Sequence, residues 1–174
     1  MGGYAVGNAT SGSGGVVIFD GNFTVPADRV KVNGGVSLDT KIETGCANGA
    51  AGTIFYTSTD SLVIDNKGSN STAATAVEIP VEKQRNSAKS LPEISNKLII
   101  DGSARLLIVG EHFGLTFNEI FVNNFCTIIF SEQEDAVNIR FLQNPNIGKL
   151  AVFDFTKTKR ATIYQGAEDG GPDA

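Results

Sequence analysis

The sequence predicts an all-β fold, a parallel β-helix or β-solenoid, on three observations. Short apolar and β-branched runs recur at intervals of roughly twenty residues along most of the chain. Asx and Gly residues follow those runs at similar places, where they suit tight corners. No sustained 3.6-residue apolar stripe competes with them. An antiparallel β-sandwich is the alternative, since frequent short strands with turn signals also fit that architecture.

The elements follow in order. Residues 1–15 are Gly, Ser, Ala, Thr and Asn with almost no large side chain, and cannot offset their ordering entropy unaided. They are expected to form a flexible leader, or a strand donated to a neighbour. Val16-Val17-Ile18-Phe19 reads as a buried strand and Asp20-Gly21 as a turn. Residues 29–32 alternate polar and apolar, and Val36-Ser37-Leu38 starts a further run. Between them Asn33-Gly34-Gly35 signals a tight reversal, or a corner of a coiled β architecture.

From Thr53 two ladders of runs interleave. One begins at Thr53, Ala76, Lys97, Glu119, Val137 and Ala161; the other at Ser61, Arg105, Thr127 and Leu150. Corners are expected at Asp65-Asn66-Lys67-Gly68, Asp101-Gly102, Asn123-Asn124 and Asn144-Pro145-Asn146. Leu98-Ile99-Ile100 and similar runs are apolar at every position, which requires burial on both faces or a crowded interior. Residues 81–96 are the best helical candidate, but Pro92 and the lack of a stripe make them a polar excursion. The domain plan is a leader at 1–15, a single β-rich domain at 16–165 and a frayed acidic tail at 166–174.

The 174 residues suit one domain, or a piece of a longer repetitive array. A net charge of −5 and a pI of about 4.8 leave no basic face for nucleic acid or an anionic lipid surface. Residues 83–89, the densest basic stretch, mix Lys, Arg and Glu and read as a solvated loop. No run reaches the ~18–20 apolar residues of a membrane span, so no direct insertion is expected. The first residues lack the basic and apolar regions of a signal peptide, which taken alone points to the cytosol. Three sequons, at Asn8, Asn22 and Asn70, point instead to N-glycosylation and an extracellular or cell-surface protein, in which case the chain is expected to be a fragment of a longer one.

The sequence holds no recognisable catalytic constellation. His112, the one histidine, is expected in a loop after residues 105–109, with Ser103 and Cys126 as its nearest nucleophiles in sequence. Cys46 and Cys126 read as separate thiols, Cys126 buried in a strand and Cys46 in a turn; neither belongs to a Cys-x-x-Cys pair. Ser11-Gly12-Ser13-Gly14-Gly15 lacks the context of a nucleophile elbow, and residues 45–52 lack the Lys-Ser/Thr of a phosphate loop. Asp60, Asp65 and Asp101 sit at strand ends, where turn propensity accounts for them; Asp101 with Arg105 is the most suggestive acid–base pair. Glu132-Gln133-Glu134-Asp135 is an acidic run expected to be solvated. No catalytic, cofactor or metal residue is assigned.

Gly45-Cys46-Ala47-Asn48-Gly49-Ala50-Ala51-Gly52-Thr53-Ile54-Phe55-Tyr56, followed by Ser61-Leu62-Val63-Ile64-Asp65-Asn66, resembles part of the large glycine-rich surface proteins of plants. The resemblance covers residues 30–80. It implies a secretory-pathway or membrane-anchored protein with a repetitive β-rich ectodomain, and it supplies no catalytic residues; after residue 81 the pattern departs. The expected function is thus a non-catalytic extracellular structural or adhesive module that self-assembles through strand edges. The alternative is a glycan-binding module, or an inactive relative of polysaccharide-processing β-helix enzymes, for which glycan-array binding is the test. Expected partners are other copies of the chain or cell-surface glycans.

Overall fold

The computed structural model describes residues 11–22, 25–26, 29–36, 48–69, 71–78, 95–109, 113–131 and 136–166. Among them the chain is all-β apart from a 3-10 turn at Thr57–Thr59 and a 3-10 position at Arg29. The strands are β1 Val16–Phe19, β2 Gly52–Tyr56, β3 Ser61–Asp65, β4 Thr75–Glu78, β5 Lys97–Asp101, β6 Arg105–Val109, β7 Phe113–Phe117, β8 Glu119–Val122, β9 Thr127–Ser131, β10 Ala136–Phe141, β11 Asn146–Ile147, β12 Val152–Asp154 and β13 Arg160–Gln165. They form three sheets: a long one in the order β1-β2-β3-β5-β8-β11, a second of β12-β9-β6-β4 and a third of β13-β10-β7. Every pairing is parallel except the β2–β3 hairpin, so the antiparallel sandwich is not what forms.

From β5 onward the chain visits the three sheets in turn, and each round lies in register on the one before. Lys97 pairs with Glu119 and Arg105 with Thr127, 22 residues on; Phe113 pairs with Val137, 24 residues on. The interval of about twenty residues is therefore the length of one round. The expected pair of ladders is in fact three series. Lys97 and Glu119 belong to the long sheet, whereas Val137 and Ala161 belong to the third. The third series was hidden because β7 contains Gly114 and follows a polar Glu111-His112, so its strand signal is weak.

Parallel stacking places like residues in rows. Leu98 lies beside Ile120 and Ile100 beside Val122; Leu106 lies beside Ile128 and Ile108 beside Phe130; Leu115 lies beside Ile139. These side chains form one core with Phe117, Val137 and Phe141. Residues between them in β5 and β6 are half-buried, so the all-apolar runs do alternate in depth. In the long sheet the opposite face is covered as well: Ile54 and Val63 form a second core with Val32, packed by Val17, Phe19 and Ile99. Burial on both faces, as the runs required, holds there.

The corners repeat too. The N–H of Ser69, Ala104, Cys126 and Ala151 each donates to the carbonyl three residues back, at Asn66, Asp101, Asn123 and Gly148, at 2.9–3.2 Å. Lys67 and Gly68, and again Gly102 and Ser103, take positive φ as adjacent pairs, the mark of type I′ turns. At Gly102 a Cβ would also strike the Lys67 and Gly68 amides and the Asp65 carboxylate of the turn beneath.

Ahead of the first round lies a layer built on glycine. Residues 11–15, 32–35 and 48–52 run side by side, joined by Gly35 N–H to the Gly12 carbonyl (2.8 Å), Gly49 N–H to Gly35 (3.0 Å) and Gly14 N–H to Ala50 (2.9 Å). A Cβ at Gly14, Gly34, Gly49 or Gly52 would meet a neighbouring carbonyl oxygen, so only glycine permits this approach. Asn33-Gly34-Gly35 therefore makes no turn; its glycines serve proximity, and the Gly34 N–H donates to Asn66 Oδ1 (2.9 Å).

Candidate functional site: the open edge strands

β11, β12 and β13 make the last round, and each has a strand partner on one side alone among the described residues. Among the described residues all three sheets thus end together. The core rows end with them: Ile147 follows Val122, Phe153 follows Ile128, and Ile163 follows Ile139. Val122, Ile128 and Ile139 are fully buried, whereas Ile147 is 38 % exposed and Ile163 56 %. Phe155 continues the second sheet's row by stacking on Phe130 (centroids 4.7 Å apart, 4° between planes). Of the nine exposed large apolar side chains among the described residues, five lie here: Ile147, Leu150, Val152, Ile163 and Tyr164. Such a concentration marks strands that lack a cover among the described residues.

The opposite edges are better closed. β7 is an edge strand, yet Leu115 and Phe117 are buried completely. β4 keeps Val77 packed against the core, and Thr75 Oγ1 donates to the Ala51 carbonyl (2.5 Å) of the glycine layer. β1 is the exception, leaving Val16 and Ile18 exposed at the far margin of the long sheet.

Local sequence fixes the last round. Gly148 N–H donates to the Val122 carbonyl (2.8 Å), and Asn124 Oδ1 accepts from Leu150 N–H (3.3 Å). Between β12 and β13, Asp154 Oδ1 accepts from Thr156 N–H (2.9 Å). Those Thr156 hydrogen bonds, aided by the Arg105 and Lys157 charges, hold the Asp154 carboxyl below its ordinary range. Lys149, Lys157, Lys159 and Arg160 otherwise make this round basic within an acidic chain.

The residues weighed from sequence serve the turns. Asp65 Oδ1 accepts from Lys67 N–H (2.7 Å) and its other oxygen pairs with Lys67 Nζ; Asp101 Oδ1 accepts from Gly102 N–H (2.7 Å); Asp60 Oδ2 accepts from Asn96 N–H (2.8 Å). Asp101 and Arg105 form no ion pair; Ser103 occupies a left-handed turn position, φ 61°. Among the described residues no three His, Cys, Asp or Glu side chains could hold a metal ion, and no helix is long and apolar enough to cross a membrane. Asn22 is exposed in the bend after β1. Asn8, Asn70, Cys46, His112 and residues 132–135 lie outside the described residues.

Cys126 is a free, buried thiol at the third corner. Burial pushes it up from its ordinary 9.0, and the Asp101 and Asp65 charges add to this against backbone hydrogen bonds from Ala104 and Ser103. A raised thiol favours the protonated folded state, so this contribution is complete below about pH 9 and is lost as pH rises further. We expect Cys126 to resist alkylation until the protein unfolds, and the alkaline fall in melting temperature to be shallower in Cys126→Ala. Rapid labelling of Cys126 under native conditions would contradict its burial.

Open strand edges were expected from the sequence, but not which residues form them, because exposure of Ile147 and Ile163 depends on what lies beside them rather than on their own neighbours in the chain. No family model, curated protein or solved structure matches this chain.

Proposed function

We propose that the protein is a non-catalytic structural or adhesive module of the extracellular space or cell surface, folded as a β-solenoid, that associates through its open strand edges. The observation that carries this reading is the joint end of three sheets with their core rows uncovered. Unpaired strand edges template further pairing. Each of Ile147 and Ile163 would add about 1–3 kcal/mol on full burial. Support for an extracellular site comes from the exposed Asn22 sequon and from the resemblance of residues 30–80 to glycine-rich surface proteins.

Size-exclusion chromatography with light scattering tests it. The mass is expected to rise above the monomer's 18.3 kDa as concentration increases. A mass fixed at 18.3 kDa across the accessible range would sink the assembly reading.

A further inference from the structure

The sequence holds two Asn-Gly pairs, Asn33-Gly34 and Asn48-Gly49, and the fold sets both in the glycine layer. Asparagine is chemically labile before glycine, because the glycine nitrogen, with no Cβ to hinder it, can attack the preceding side-chain amide. That attack needs a free glycine N–H and a backbone able to swing toward the side chain. Here neither is at hand. Gly34 N–H donates to Asn66 Oδ1 (2.9 Å), and Asn66 is 1 % exposed with its Nδ2 fixed on the Ser69 carbonyl (2.8 Å). Asn33 Nδ2 donates to the Gly34 carbonyl (3.0 Å), and Gly34 lies so close to the Gly49 and Ala50 carbonyls that a Cβ has no room. The second pair is held without Asn66: Gly49 N–H donates to Ser11 Oγ (2.9 Å) and to the Gly35 carbonyl (3.0 Å).

We propose that Asn33 is a latent self-modification site, kept as an amide by the Asn66 latch and converted to an acid once the glycine layer opens. In the step, Gly34 N–H gives its proton to hydroxide and the nitrogen bonds to Asn33 Cγ. The Cγ–Nδ2 bond breaks and ammonia leaves. Water then opens the resulting succinimide at either carbonyl, leaving aspartate or isoaspartate at position 33. Hydroxide and water are the only co-reactants. Isoaspartate lengthens the backbone by one carbon between Val32 and Gly35, whose bonds to Gly52 N–H (2.6 Å) and to the Gly12 carbonyl (2.8 Å) set the register of the layer. Either product also adds a negative charge to a chain already at −5. Conversion therefore makes an opening of the layer permanent. This inference is independent of the assembly reading.

Peptide mass spectrometry after incubation at mildly alkaline pH reads the conversion at Asn33 and Asn48 separately. In the folded parent, Asn33 should convert about tenfold or more slowly than in urea-unfolded chain, because only the open fraction reacts. The Gly34 amide should show matching protection from hydrogen exchange, since both reactions need the same bond broken. Asn66→Ala should speed conversion at Asn33 and leave Asn48 slow. Asn66→Asp retains an oxygen to accept from Gly34 N–H while losing the bond to Ser69, so it should protect Asn33 better than Asn66→Ala does. Equal rates at Asn33 in folded and unfolded parent would overturn the proposal without any variant. If Asn66→Ala unfolds the chain, the parent comparison and Asn66→Asp decide. In a folded Asn66→Ala, an unchanged rate at Asn33, or equal acceleration at Asn33 and Asn48, would overturn the latch.

Discussion

Valine at position 102 is expected to lower stability by about 3–5 kcal/mol, read as a large drop in denaturation midpoint at unchanged slope. Two effects add. Gly102 has φ +62°, a conformation in which a β-branched side chain is strained. A Cβ there would also be driven into the Lys67 and Gly68 amides and the Asp65 carboxylate, and the turn beneath has no room to retreat because Gly68 N–H is bonded to the Gly102 carbonyl (3.0 Å). Gly21→Ala is the control: its φ is +90°, yet nothing lies within 4 Å of the added Cβ. It should cost only the backbone term, about 1 kcal/mol. Equal losses in the two variants would show that stacked turns do not press on one another.

Phe130→Ala is expected to cost about 3–5 kcal/mol, the range for deleting a buried aromatic ring. Phe130 is fully buried in β9, beside Ile108 of β6, with Phe155 stacked on it at 4.7 Å and Phe153 at 6.3 Å. Its loss removes the platform on which the last round rests. Hydrogen exchange should therefore rise first at Val152–Asp154 rather than at Arg105–Val109. Uniform loss of protection through β6, β9 and β12 would mean that the rounds unfold as one unit.

The rows of the core were legible in the sequence. Leu98, Leu106 and Ile128 announced their strands because β-branched and aliphatic runs bounded by Asx and Gly have few other uses. The Asp65, Asp101 and Asn123 corners were legible for the same local reason, and turns form at each. Which strands share a sheet was not. Val137 and Lys97 look alike in sequence, and only the path of the chain puts one in the third sheet and the other in the long one. The glycine layer was misread at Asn33-Gly34-Gly35, since a glycine required for close approach carries the same letter as one required for a turn. Of the candidate residues, Asp101 and Arg105 were neighbours in sequence but have separate roles: one serves a turn, while the other contributes charge near Asp154.

By itself, then, the sequence determined the all-β class, most of the strands, the corners at Asp65, Asp101 and Asn123 and the spacing of about twenty residues, because each is set by torsional preference and side-chain shape within a few residues. The tertiary structure alone decided which strands share a sheet, that glycines 14, 34, 49 and 52 approach backbone closely, and that Ile147 and Ile163 end their rows uncovered among the described residues. Those properties depend on residues about twenty or more positions apart meeting in space, and no local preference encodes which of several similar strands a given strand will meet.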